Sequence, residues 1–374
     1  MKLTETTPLF LDLPSAQTVV MLGQPGIGKT TCARMLADQM TVLRRAEDPD
    51  APEAICEVID STSRLPEDIQ GLPFRDGEAT SYCPPEWLLP LCQPGVYGVL
   101  CLDDLPASMP AVQVAMRMLV LERRVGRHRL SDGIKILVTG NRRQDKSSAK
   151  TLPAHFRNAC LFVQIEPDLD EWAAWAAQND VPGVISAFLR YRPQFHSRLP
   201  ADADDHGVFA TPRTWFMVGR CFEAARKHAM VRDVAAGLVG EGVAAEFAAF
   251  VEIAAALPNP RAVLENPKAA MPNPPKKADQ LIAISTALGE ITAKLVKESE
   301  GDDAAITKLA GQFLTAVAHV TDGNREYCGS AVSTFLSNGG DINDLVKGAR
   351  TARKNKGVAD MLRFLKSVLI PGAK

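Results

Sequence analysis

The chain has 374 residues, 46% of them hydrophobic, and a formal net charge of −2 at pH 7. It is long enough for two or three domains with sizeable cores, and so balanced a charge gives no bulk attraction for phosphate backbones, which weakens the case for a DNA motor. The eight cysteines show no C-x-x-C and no tight grouping with histidine, which argues against a zinc site or a disulfide frame. No apolar stretch reaches membrane-spanning length and the N-terminus has no h-region, so a cytoplasmic chain is expected.

The apolar run Val19-Val-Met-Leu22 predicts a strand, and Gly23-Gln-Pro-Gly-Ile-Gly-Lys-Thr30 follows it directly. That octapeptide fits G-x-x-x-x-G-K-[ST], a loop whose backbone N–H groups converge on phosphate. Gly23, Gln24, Pro25, Gly26, Ile27, Gly28, Lys29, Thr30 and Thr31 are therefore the expected nucleotide-binding residues. Lys29 reaches the outer phosphates, and Thr30 opens a helix and offers its hydroxyl to magnesium. Cys32, Met35, Leu36 and Met40, at three- and four-residue steps, are the expected inner face of that helix.

A second strand near 56–60 ends at Asp60, and the stretch from Leu65 to Pro90 is broken by Pro and Gly. The next apolar run, Val99-Leu-Cys-Leu102, ends in Asp103-Asp104. It reads as a Walker B strand in which Asp103 holds the metal and Asp104 polarises the attacking water. Aspartate is about one methylene shorter than the usual glutamate, which favours slow turnover. Residues 121–133 carry four arginines and one histidine in a hairpin pattern. A solvated face is the ordinary reading of such a run, and a nucleic-acid or subunit contact the sharper one. Then comes Ile134-Lys-Ile-Leu-Val-Thr139 with Gly140-Asn141-Arg142 at its tip, and Asn141 fits a polar sensor beside the γ-phosphate.

With a last strand at 161–165, residues 1–165 predict an α/β domain built on a largely parallel sheet flanked by helices. Residues 166–256 read as an all-helical lid, and 257–374 as a proline-rich connection followed by a helical C-terminal region. Helices are expected there over Leu281–Val296, Ala304–Val320, Tyr327–Leu336 and Val358–Leu369, with a basic stretch at Arg350–Lys356.

Taken together, Gly23–Thr30, Asp68-Ile-Gln-Gly-Leu-Pro73, Gly98–Leu105, Ala111–Ala115, Leu121–Gly126, Thr139–Arg142, Glu166-Pro-Asp-Leu-Asp-Glu-Trp172 and Thr211-Pro-Arg-Thr-Trp215 resemble the AAA+ superfamily of P-loop NTPases, and within it the MoxR-like group. The likeness covers roughly the first 255 residues, and Gln70-Gly-Leu-Pro73, the Pro167–Trp172 segment and Thr211–Trp215 are together its narrowest motifs. It implies an ATPase that works with ATP and magnesium, assembles into a homo-oligomeric ring of six, and remodels a protein partner, commonly one with a von Willebrand factor A domain. It also implies that Leu72 and Phe74 lie in an insert that either grips a client or tucks back onto the domain. Arg213 falls at the lid's sensor arginine. The arginine finger is where the sequence departs: Ala159 stands in its place in Leu152-Pro-Ala-His-Phe-Arg-Asn-Ala-Cys160. Arg157 shifted inward, or Arg142, Arg143 or Lys146, is the candidate substitute. Two further readings stay open: a nucleic-acid-associated motor or phage or defence component, and a nucleotide-stabilised ring with little turnover.

Overall fold

The structure, a computed structural model, describes residues 1–145, 151–199, 207–352 and 358. The chain divides into two compact units, Met1–Pro167 and Asp168–Lys374.

In the first unit the five expected strands form one parallel sheet. They are β1 (Val19–Gly23), β2 (Ile55–Asp60), β3 (Tyr97–Asp103), β4 (Gly133–Gly140) and β5 (Leu161–Ile165), ordered β2-β3-β4-β1-β5. The strand leading to Asn141 thus lies between those that end at Gly23 and Asp103. Alternation along each strand assigns the faces. Val20, Leu100, Leu102, Ile136 and Val138 share one core with Leu119 and Phe156. Val19, Met21, Val99, Cys101 and Leu137 meet Leu36 and Phe10 in the other. Burial on both sides is why these strands are nearly continuous in apolar residues.

Helix Lys29–Glu47 buries Cys32, Ala33, Leu36 and Ala37. This corrects the expected inner face, because Met35 is exposed and Met40 only partly covered. A helix Leu3–Asp12, which no sequence signal announced, adds Phe10 to the same core. Lys135 of β4 holds its carboxyl end, donating to the carbonyls of Phe10 at 3.1 Å and of Leu13. A cation there complements carbonyls that have no partner within the helix, and burial pulls the Lys135 pKa down.

The insert between β2 and β3 forms an antiparallel hairpin, Leu72–Asp76 with Ala79–Cys83. Of the two placements open to Leu72 and Phe74, the outward one is found: they are 64% and 47% exposed, and Tyr82 is 51% exposed. The basic stretch forms a tight hairpin, Arg124–Val125 with His128–Arg129. Arg123 does not join its solvated face. It is buried with φ 56°, and its guanidinium donates to the carbonyls of Ser15, Ser131 and Ile134.

In the second unit, helices Leu169–Gln178, Gly183–Tyr191, Pro212–Lys227, Val231–Val239 and Glu241–Ala255 enclose Phe188, Trp215, Phe247 and Phe250. Phe188 meets Phe247 edge-on with centroids 5.3 Å apart, a favoured aromatic geometry. The proline-rich stretch is packed rather than extended. Pro260–Glu265 and Pro267–Ala270 are short helices opened by Asn259 and Asn266, and Val263, Leu264 and Met271 are buried. Helix Ala278–Glu298 gives Ile282 and Ala283 to the first aromatic core, and Leu288 and Ala293 to a second core around Phe313 and Phe335. Helices Asp303–Thr321 and Arg325–Ser337 form where periodicity placed them. Ile342–Thr351 is an additional helix, and Gly348 allows its close approach to Ala310. The helix expected at Val358–Leu369 and the basic residues 353–356 lie outside the described residues, apart from Val358. Among the described residues, no helix is long and apolar enough to cross a membrane.

His196 is 4% exposed in the second unit, and burial pulls its pKa from 6.5 to about 4, against a smaller upward pull from Asp168. The unfolded chain's imidazole takes a proton in that window and the folded one does not. Stability is expected to stay level above pH 6.5 and to fall as pH drops toward 4, by up to ~3 kcal/mol. In guanidinium unfolding followed by tryptophan fluorescence, His196→Gln should flatten this dependence; an unchanged slope would assign it to other groups.

Candidate functional site

The loop after β1 turns through left-handed backbone at Gly26 (φ 75°) and Gly28 (φ 98°), conformations that favour glycine. The helix then starts at Lys29 with no side-chain cap, leaving its first N–H groups toward the loop. Lys29 is 7% exposed. Its ammonium donates to the carbonyls of Gly23 (3.0 Å) and Gln24 (2.8 Å) and to Asn141 Oδ1 (2.9 Å). The residue expected to sense the γ-phosphate therefore touches the lysine expected to bind it.

One residue further, Thr30 Oγ1 lies 2.8 and 2.9 Å from the two carboxylate oxygens of Asp103. Thr139 Oγ1 also donates to that carboxylate, and accepts the Asp104 N–H at 3.2 Å. Asp104 leaves β3 with φ 48° and ψ 34°, a left-handed conformation that aspartate adopts more readily than longer side chains do. Sequence reasoning missed Thr139 as a site residue. The available signal was a hydroxyl at the end of the otherwise aliphatic run Ile136-Leu-Val138, and its complete burial explains why it needs partners.

Arg142 follows Asn141 and is 7% exposed. It forks onto Asp145, Nε to Oδ2 at 2.9 Å and Nη2 to Oδ1 at 3.0 Å, while Nη1 donates to Glu166 just beyond β5. Its hydrogen bonds to the Asp145 carboxylate are the largest influence raising its pKa. Arg142 is thus bound to two carboxylates of its own unit, which disfavours it as the substitute finger. The Arg143 side chain and Lys146 lie outside the described residues. Arg157 is exposed on helix Ala154–Ala159, as is Ala159, and takes no part in the contacts around Lys29.

Arg213 belongs to the second unit, as the second residue of helix Pro212–Lys227, and its side chain is exposed. Thr211 caps that helix: its hydroxyl accepts the Thr214 N–H at 3.2 Å, and Thr214 Oγ1 accepts the Thr211 N–H at 2.8 Å. Of the expected site residues, the fold brings together Gly23, Gln24, Lys29, Thr30, Asp103, Asp104 and Asn141, through direct bonds or through Thr139.

No protein-family model matches the sequence, and no curated protein matches it. Among solved structures, the chain is similar to a point mutant of RuvB from Thermotoga maritima, with 14% identity over 77% of this chain and 85% of that one, and a TM-score of 0.36. It is also similar to NtrX from Brucella abortus in complex with ATP, with 14% identity, 94% and 67% coverage and a TM-score of 0.34. A third likeness is to PCH-2 of C. elegans, with 11% identity, 67% and 66% coverage and a TM-score of 0.29. The chain itself carries the fold: a P-loop sequence follows β1, and an extra strand lies between the two Walker strands, the arrangement that the AAA+ resemblance implies.

Replacing Arg142 by Ala leaves the Asp145 carboxylate, 3% exposed at its side chain, without its cation. The expected cost is ~3–5 kcal/mol. Guanidinium unfolding should show it as a lower midpoint with little change in slope; a midpoint at the parent value would mean that the pair contributes nothing.

Proposed function

We propose that this chain is a MoxR-like AAA+ ATPase that binds ATP and magnesium at the subunit interfaces of a six-membered cytoplasmic ring and uses hydrolysis to remodel a protein partner. The observation that carries the reading is the convergence of Lys29, Thr30, Asp103, Asp104 and Asn141 on one point of the sheet edge. A P-loop lysine, a paired hydroxyl and carboxylate, a second carboxylate and a strand-tip amide are the parts that phosphoryl transfer to water requires.

The donor set suits magnesium, because the Thr30 hydroxyl and Asp103 carboxylate are hard oxygen ligands already side by side. Thr30 and Asp103 would hold the ion, which would supply positive charge for the phosphate oxygens of a bound nucleotide. The protein's own work is to hold and polarise. Lys29 and the loop N–H groups fix the phosphates, Asp104 takes the proton side of the attacking water, and Asn141 orients the γ-phosphate end. Arg213 reports nucleotide state to the lid. The exposed Leu72 and Phe74 of the insert hairpin offer an apolar grip for a client, and a partner with a von Willebrand factor A domain is the kind that the family resemblance favours.

A second reading, a ring that holds nucleotide with little turnover, is favoured by Asp104 and by Ala159 at the finger position, with Arg157 as the shifted finger in the motor reading. The nucleic-acid motor is weaker, because Arg123 serves internal carbonyls and Arg124 pairs with Glu122 at 2.8 Å.

Lys29→Ala is expected to abolish binding of a fluorescent ATP analogue. Asp104→Asn should keep binding and lower single-turnover hydrolysis by ~100-fold or more, the scale of a lost general base. Hydrolysis at the parent rate by Lys29→Ala would refute the assignment. Single-turnover hydrolysis that is negligible in the parent chain, with and without its partner, would select the static ring.

A further inference from the structure

Two of the narrow motifs, Asp168-Leu-Asp-Glu-Trp172 and Thr211-Pro-Arg-Thr-Trp215, meet in the second unit. Asp168 caps helix Leu169–Gln178 by accepting the Glu171 N–H at 2.9 Å, which fixes the first turn that carries Trp172. Trp172 is 7% exposed, and its indole N–H donates to the Pro212 carbonyl at 3.1 Å. Pro212 is the residue immediately before Arg213 and the first of its helix. From the same helix turn, the fully buried Trp215 donates its indole N–H to the Phe195 carbonyl at 2.7 Å. His196, next to Phe195, faces the Trp172 ring with centroids 5.6 Å apart. The first turn of helix Pro212–Lys227 is thus tied by two indole N–H groups to two separate segments, and Arg213 is the exposed side chain between the ties.

We propose that Trp172 is a positioning residue for Arg213: its bond to the Pro212 carbonyl, together with that of Trp215 to Phe195, fixes the first helical turn and hence the direction in which the guanidinium is presented. An indole suits this task because it is a rigid donor with no acceptor, so a buried one is held wherever its carbonyl is. A long flexible arginine on an unanchored first turn would lose that direction, since helix ends fray. The inference rests on the reading of Arg213 as the residue that addresses nucleotide phosphate.

The test is a double-mutant cycle on the full-length protein, read as steady-state ATP turnover with a thermal melt of each variant. Trp172→Phe keeps an aromatic ring and deletes the N–H. It is expected to lower kcat about fivefold, the scale of one net hydrogen bond, with KM for ATP within about twofold of the parent. In an Arg213→Ala background the same substitution should change nothing further. Trp215→Phe, which removes the second tie, should behave the same way and serves as the readout if Trp172→Phe does not fold. Parent-like kcat in folded Trp172→Phe while Arg213→Ala is impaired would overturn the positioning role and leave the reading of Arg213 standing. An equal loss from Trp172→Phe in both backgrounds would overturn it too, because the tryptophan would then act on the unit as a whole. Parent-like turnover in Arg213→Ala would instead overturn the reading of Arg213, and the positioning role with it.

Discussion

A buried ammonium needs oxygen on every side that water has left, and the arrangement around Lys29 follows from that requirement. The lysine is 7% exposed, and its acceptors include two loop carbonyls and Asn141 Oδ1. An uncompensated charge in such a place costs several kcal/mol, so the loop and the tip of β4 must be correctly placed together or not at all. The loop carbonyls depend on the left-handed turns at Gly26 and Gly28. The amide depends on the sheet order, which sets β4 directly beside β1. Two residues earlier in the same strand, Thr139 extends the constraint to the Asp103 carboxylate and the Asp104 backbone.

The strand that carries this burden is fixed at both ends by buried cations. Near its start, Lys135 binds the carbonyl end of helix Leu3–Asp12. Just past its end, Arg142 grips Asp145 and Glu166 and so joins the tip of β4 to the end of β5. Both cations are buried, and a low local dielectric strengthens a satisfied bond and penalises a broken one. The tip of β4 is thereby held in place, with Asn141 on Lys29 and Thr139 on the Asp103 carboxylate. Preorganised dipoles of this kind are what the proposed phosphoryl transfer would need, since it leaves little covalent chemistry for the protein to do.

The second unit relies on shape rather than charge. Phe188, Trp215, Phe247 and Phe250 fill one core, and helix Ala278–Glu298 enters both that core and the next. Residues on either side of position 256 therefore share packing, which makes the helical half one body of two adjoining cores. Among its polar contacts, the Thr211 and Thr214 capping box and the two indole ties flank the exposed Arg213.

Local sequence settled whatever depends on neighbours along the chain. The phosphate loop was legible because glycine spacing and a following Lys-Thr constrain backbone angles directly, and the five strands were legible because each is an apolar run bounded by turn residues. The helices around Phe313 and Phe335 were legible from their period. Contacts made across the fold were not. Nothing near Thr139, Lys135 or Arg123 tells that one bridges two acidic positions, another caps a distant helix and the third ties three carbonyls to a hairpin. Met35 and Ala33 both suit a helix, and only the closeness of the sheet selected the smaller side chain for the inner face. The sequence by itself determined a glycine-rich loop between strand and helix, a parallel sheet and a helical remainder. Tertiary structure decided which buried polar groups meet, because the partner that satisfies each one comes from elsewhere in the chain.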